Sequence, residues 1–314
     1  MEYRKLISFG KSSYVVTLPK TWVQQNKLKR GDLVYFDENV DGLLLQPRPE
    51  NPEEEKEIVI SVDGKTRSQI QREIIPAYIH NFKTVTLTGK ELKSKAEEIE
   101  PIIQNLMALE IMEQTSEKII ARDFLNMKDL SIPNLLRKMD VIVRSMITDC
   151  LTIFQEDSCE NISLRDKDVN RLSYLIYRAV NYGLKNQGFM AKQFKLTAND
   201  LLKYYILVMH IEVIGDETRR LARYMRQIKL PKAKQQQFVS LVARTQECYN
   251  ETMKAVYTNN IQIAHNVSEK KNTLIKDCEE FYLQNRNTTW IAYMVDRLKR
   301  MVSTIHKVGR LVYQ

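Results

Sequence analysis

Residues 207–228 read Leu-Val-Met-His-Ile-Glu-Val-Ile-Gly-Asp-Glu-Thr-Arg-Arg-Leu-Ala-Arg-Tyr-Met-Arg-Gln-Ile. Within them Leu207, Ile211, Ile214, Leu221, Met225 and Ile228 recur at spacings of three, four and seven, which marks one packing seam of a long amphipathic helix. The pattern predicts a helix over 197–228, the third of six that follow residue 129; the others fall near 131–155, 161–187, 232–258, 260–284 and 288–312. Short polar breaks such as Glu156-Asp157-Ser158, Lys195-Leu196-Thr197 and Asn285-Arg286-Asn287 separate them. Helices of this size are roughly 40 Å long at about 1.5 Å per residue, as in an elongated bundle. Three helices followed by three of similar length indicate an internal duplication.

Ahead of the helices the period changes. Leu6-Ile7-Ser8-Phe9 and Tyr14-Val15-Val16-Thr17-Leu18 flank a Gly10-Lys11-Ser12-Ser13 turn and read as two short strands. Pro19 stops that ladder and suits the first turn of a short helix over Lys20 to Asn26. Leu33 to Phe36 and Leu43 to Leu45 read as two more strands, with Asp41-Gly42 as the hairpin signal. This β-β-α-β-β unit of under 50 residues is too small to cover Trp22, Tyr35, Phe36 and its aliphatics alone, so two interleaved copies are expected. Residues 47–57, with Pro47, Pro49, Pro52 and Glu53-Glu54-Glu55, read as a stiff, charged connector. Beyond it, strands at Glu57 to Val62, Thr84 to Leu87 and Glu110 to Arg122 alternate with helices at Thr66 to His80 and Glu91 to Met107, a small α/β unit. The expected fold is multidomain and mainly α, divided at 1–50, 57–125 and 129–314.

With 314 residues, 43% apolar and 28% charged, and only 9 Gly and 8 Pro, the chain is neither collagen-like nor largely disordered. No apolar run reaches the roughly 20 residues of a membrane span. Met1-Glu2-Tyr3-Arg4-Lys5 lacks the apolar core of a secretory signal, and the four cysteines show no C-x-x-C spacing, so a reducing cytoplasm is expected. The net charge of +9 is unevenly placed. From Arg219 onward 18 Lys/Arg face 7 Asp/Glu, a surplus of 11 that leaves −2 for residues 1–218; yet residues 1–30 hold seven bases against Glu2 alone. Two basic ends point to polyanion partners.

The run Gly10 to Trp22 followed by Leu28-Lys29-Arg30-Gly31-Asp32 resembles the SpoVT/AbrB family of swapped-hairpin domains over about 45 residues. The resemblance implies a dimeric β-barrel through residues 1–50. It also implies duplex DNA bound by Arg4, Lys5, Lys11 and Lys20, or a module that serves only to dimerise. Val23 and Gln24 stand where related DNA binders often carry arginines. His210 to Ala222 is similar to the E-R-I-G-D signature of PhoU-type phosphate-uptake regulators, and Arg165 to Leu172 resembles the acidic segment of the preceding helix in that repeat. Together these likenesses cover most of the chain. They imply a phosphate-responsive regulator that acts on DNA or, alternatively, on a phosphate transporter or signalling kinase through protein contacts.

Glu212 and Asp216 lie one helical turn apart and repel unless a positive group sits between them. One expectation is a divalent or iron-type metal ion (Fe, Mg, Ca or Zn) with Asp166 as third ligand. The other is neutralisation by Arg219 and Arg220 in ordinary surface pairs. Asn170, in place of a second acid, and Arg300, at the matching position of the second repeat beside Asp296, depart from the family pattern. Arg219, Arg220 and Arg223 open a basic run that is either a solvated helix face or an anion-binding site for phosphate, polyphosphate, nucleic acid or an acidic protein surface. The middle unit shows no phosphate loop, nucleophile elbow or metal-ligand spacing, and the four histidines are scattered among helices with no Ser or Cys nucleophile at a recognisable spacing, so no enzymatic activity is expected.

Overall fold

The computed structural model describes residues 3–39, 42–47 and 56–314. Asp41 of the expected hairpin turn, and Pro49, Pro52 and Glu53 to Glu55 of the expected connector, lie outside the described residues, as do Met1 and Glu2.

At the N-terminus, β1 (Ile7–Phe9) pairs antiparallel with β2 (Ser13–Val15) around Gly10, whose φ of 70° is a turn conformation that glycine adopts freely. Pro19 then precedes α1 (Lys20–Gln25). β3 (Tyr35–Asn39) pairs with β4 (Gly42–Gln46) as a second, separate ladder. The second strand is shorter than its alternation predicts: Val16, Thr17 and Leu18 continue past β2 with no ladder partner among the described residues. Leu33 and Val34 likewise precede β3 rather than belonging to it.

The middle unit folds as β5 (Glu57–Ser61), α2 (Arg67–Ile79), β6 (Thr84–Thr88), α3 (Leu92–Gln104), β7 (Leu109–Gln114) and β8 (Lys118–Asp123). Its sheet has the order β5-β6-β8-β7, with β5 and β6 parallel across the α2 crossover and the other pairs antiparallel. Thr66 and Gln69 form a reciprocal capping box at the start of α2. Ile60, Ile70, Ile74, Val85, Leu87 and Ile99 belong to its own buried core.

The helical body comprises α4 (Ile132–Thr152), α5 (Cys159–Lys185), a single turn α6 (Gln187–Phe189), α7 (Ala198–Gln227), α8 (Lys232–Thr258), α9 (Ile261–Asn285) and α10 (Ile291–Arg310). All six seam residues are buried, five on α7 and Ile228 at its C-cap, and α7 packs against α4, α5 and α10 in one core shared by the long helices. α5 ends two residues earlier than the pattern predicts. A π turn over Met190–Phe194 follows α6, and Tyr182, Phe189 and Phe194 stack edge to face at 4.9 and 5.1 Å. The chain folds back there because Gly183 permits a close crossing: a Cβ on it would sit 2.8 Å from Leu201 Cδ1.

A buried ion pair joins the middle unit to the bundle. Arg178 of α5 and Asp123 at the end of β8 are each 2% exposed and lie 2.6 Å apart. Arg178 Nε donates to Asn81 Oδ1, and its guanidinium covers the Tyr78 ring at 4.5 Å. Lys83 approaches the same carboxylate at 3.3 Å. Removing one member of such a pair strands the other without solvent. Asp123→Ala is therefore expected to lower the unfolding free energy by about 3–5 kcal/mol in urea titration, and Asp123→Leu combined with Arg178→Met to recover most of that loss.

Candidate functional site

Thr197 caps α7: its hydroxyl accepts from the Asp200 amide while the Asp200 carboxylate accepts from the Thr197 amide, which fixes the register of the thirty-residue helix. With the apolar seam turned inward and neighbours on both flanks, α7 keeps a narrow polar strip bearing Glu212, Asp216, Glu217, Arg219 and Arg220. Gly215 lies under the strip; its backbone approaches Val143 of α4 and Val169 of α5, each 3.5 Å from where a Cβ would stand.

The strip is the middle of an alternating chain of charges that spans three helices. Asp166 on α5, 6% exposed, lies 2.9 Å from Arg219 Nε. The N–H is not aimed at that oxygen, so the contact is mainly coulombic. Arg219 also donates to Asp216 Oδ1 at 2.5 Å. Arg220 pairs with Asp216 as well, and with Glu217 at 3.0 Å. Glu217, 3% exposed, then accepts from Arg297 of α10 at 3.1 Å. Arg297 and Arg300 both pair with Asp296, at 3.2 and 3.0 Å.

Asp166 and Asp216 are therefore brought together, but the guanidinium of Arg219 stands between them where a cation would sit. Glu212 is half-buried beside this chain and has Tyr174 and Tyr177 for neighbours in its field. Burial raises the Glu212 carboxyl above its ordinary value, and the charges of Asp216 and Asp166 add to the rise against Arg220. Asp166 is also raised, by burial first and by Asp216, with Arg219 opposing. Among the described residues no group of three His, Cys, Asp or Glu side chains is placed to hold a metal ion. The donor set in this arrangement does not fit one.

The predicted anion-binding arginines divide in the same way. Arg219 and Arg220 are committed to carboxylates, whereas Arg223 is exposed. Arg226 pairs with Asp157 at 2.7 Å. Arg4, Lys5, Lys11 and Lys20 are all exposed on the N-terminal ladders and helix. Glu217 was not legible as a site residue, although its spacing of three from Arg220 is a detectable signal. Ser268 Oγ and His306 Nε2 are 2.8 Å apart. Burial first, and then Lys271 and Arg310, depress that imidazole.

Because the folded-state value of Glu212 is raised, its ionisation opposes folding. Stability from this group is fully present below the ordinary glutamate range and falls as pH rises through the raised value. Glu212→Gln is expected to raise the thermal midpoint at pH 7, with the gain vanishing below about pH 4; calorimetry over that range checks it.

A family model described as antidote-toxin recognition MazE, bacterial antitoxin, matches residues 7–53, and one described as PhoU domain matches residues 136–225. The crystal structure of PhoU from Pseudomonas aeruginosa aligns with a TM-score of 0.50 and 16% identity, over 58% of this chain and 93% of that one, a likeness of fold. No curated protein matches the chain in sequence. No helix among the described residues is long and apolar enough to cross a membrane. The chain thus joins an N-terminal segment similar to MazE/AbrB-type domains to a helical body similar to PhoU.

Proposed function

We propose that the protein is a homodimeric, phosphate-responsive regulator that binds duplex DNA through residues 1–50 and carries its regulatory input in the helical body. The observation that carries this reading is an N-terminal segment whose apolar side chains face solvent in the single chain. Leu6 is 67%, Phe9 69% and Leu33 70% exposed, and Tyr14, Phe36 and Leu43 are exposed with them. Each such side chain gains about 1.5–3 kcal/mol on full burial, so a second copy interleaving its ladders is strongly favoured. The same segment presents Arg4, Lys5, Lys11 and Lys20 to solvent, twice over in a dimer, as phosphate contacts. The matches to MazE-type and PhoU models support pairing this module with a phosphate-related body.

The full chain is expected to sediment as a dimer at micromolar concentration and to retain promoter duplex from its own operon. Retention should fall by about three decades or more between roughly 50 and 200 mM salt, and Lys5→Ala with Lys11→Ala should flatten that slope. A folded protein that retains no duplex at low salt sinks the DNA reading.

A second reading, an adaptor that acts on a phosphate transporter or signalling kinase, is favoured by a separate surface. Tyr224 of α7 stacks on Tyr293 of α10 at 5.5 Å, and Trp290 closes the group at 6.0 Å from Tyr224. Trp290 and Tyr293 are exposed, and Trp290 holds a left-handed φ of 71°, a costly conformation for a bulky residue. Exposed Trp and Tyr are enriched in protein contact hot spots. In this reading Trp290→Ala with Tyr293→Ala removes co-purification with a transporter subunit and leaves duplex retention unchanged.

A further inference from the structure

The bundle also holds a concavity of about 210 Å³ between the first turns of α4, the first turns of α7 and the last turn of α8. Buried Leu136 and Leu207 supply its apolar depth. Arg137, Lys203, Tyr204 and Tyr257 supply its polar lining, the arginine exposed and the other three half-buried. At about 30 Å³ for each water-sized group, it has room for roughly seven such groups.

The polar lining is held from behind. Tyr257 Oη donates to Asp140 Oδ2 at 2.9 Å; Asp140, 3% exposed, accepts from Arg144 Nε at 2.8 Å, and Arg144 Nη1 donates to Asn250 Oδ1 at 2.9 Å. This relay fixes the Tyr257 ring, over which the Arg137 guanidinium sits at 5.3 Å. Asp200, the one acid in the lining, caps α7: its Oδ2 accepts from the Thr197 amide and hydroxyl at 2.9 and 2.7 Å, and at Tyr204 its charge is opposed by that of Arg137. Among the described residues neither Arg137 nor Lys203 forms an ion pair with a carboxylate. Two cations without a carboxylate partner, beside two aromatic rings and above buried leucine, recognise an anion joined to an apolar body.

We infer that this concavity is a binding site for a small organic anion, a phosphate monoester or carboxylate on a compact aromatic body. Arg137 and Lys203 take the charge, and Tyr204, Tyr257 and Leu207 take the body. The site is separate from the charge chain across α5, α7 and α10 and from the N-terminal segment, so it stands whether or not the DNA reading does.

Isothermal titration of the full-length protein with phenyl phosphate, benzoate, inorganic phosphate and phenol tests it. Phenyl phosphate or benzoate is expected to bind, and phenol and inorganic phosphate at least about tenfold more weakly, since each offers only half of the recognised chemistry. Arg137→Met and Lys203→Met, which keep the apolar stems, should each weaken the organic anion by about tenfold. Circular dichroism of the variants separates lost binding from lost fold, and ring resonances of Tyr204 and Tyr257 in the unmodified protein give a second readout that needs no variant. Absence of heat and of ring shifts up to about 10 mM of either organic anion overturns the site. So does binding that survives the double replacement, or inorganic phosphate binding as tightly as phenyl phosphate.

Discussion

A long helix flanked on both sides leaves its polar residues little solvent, and charges placed there must cancel one another locally. α7 meets that constraint through arginine. Its strip carries three acids and two bases within nine residues, and Asp166 from α5 and Arg297 from α10 extend the alternation to both neighbours. Each guanidinium serves two carboxylates, which its planar fork of donors allows and a lysine could not reproduce. The packing of α5, α7 and α10 thus depends on charge order as well as on the apolar seam. Of the carboxylates that form a cation-binding pattern in sequence, Asp166 and Asp216 are here paired with the protein's own arginines, and Glu212 stands beside them with its carboxyl raised.

The apolar period was the most legible feature of the chain. Every seam residue of α7 is buried, and the six long helices lie within a few residues of their expected bounds, because a 3.6-residue repeat sustained over 25 residues has one structural solution. The likeness of Arg165 to Leu172 to an acidic segment pointed to Asp166 as a neighbour of this motif, and Asp166 and Asp216 do share Arg219. What was not legible is the rotamer of Arg219, since spacing places a guanidinium within reach of Asp216 but does not say that it also reaches across to α5. Asp123 with Arg178 and Asp140 with Tyr257 were invisible for a related reason. Their partners are 55 and 117 residues away, and a single acid at a strand end or in an apolar helix face gives no hint of what satisfies it.

The N-terminal ladders show the opposite imbalance. Their strand pattern is clear, yet β2 stops at Val15, and among the described residues no strand continues its pairing. Local propensity marks these segments as strands, while the burial that stabilises a sheet is missing from one copy. The contrast is between an exposed apolar surface at the front of the chain and a helical body with a buried core of its own.

α5 carries Asp166 and Arg178 twelve positions apart, about 18 Å along its axis. One end of this stiff rod is geared into the guanidinium train of α7, and the other is bolted to the sheet of the middle unit. A torque applied where α5, α7 and α10 mesh would therefore be felt in the orientation of β8, with no flexible joint between the two ends to absorb it.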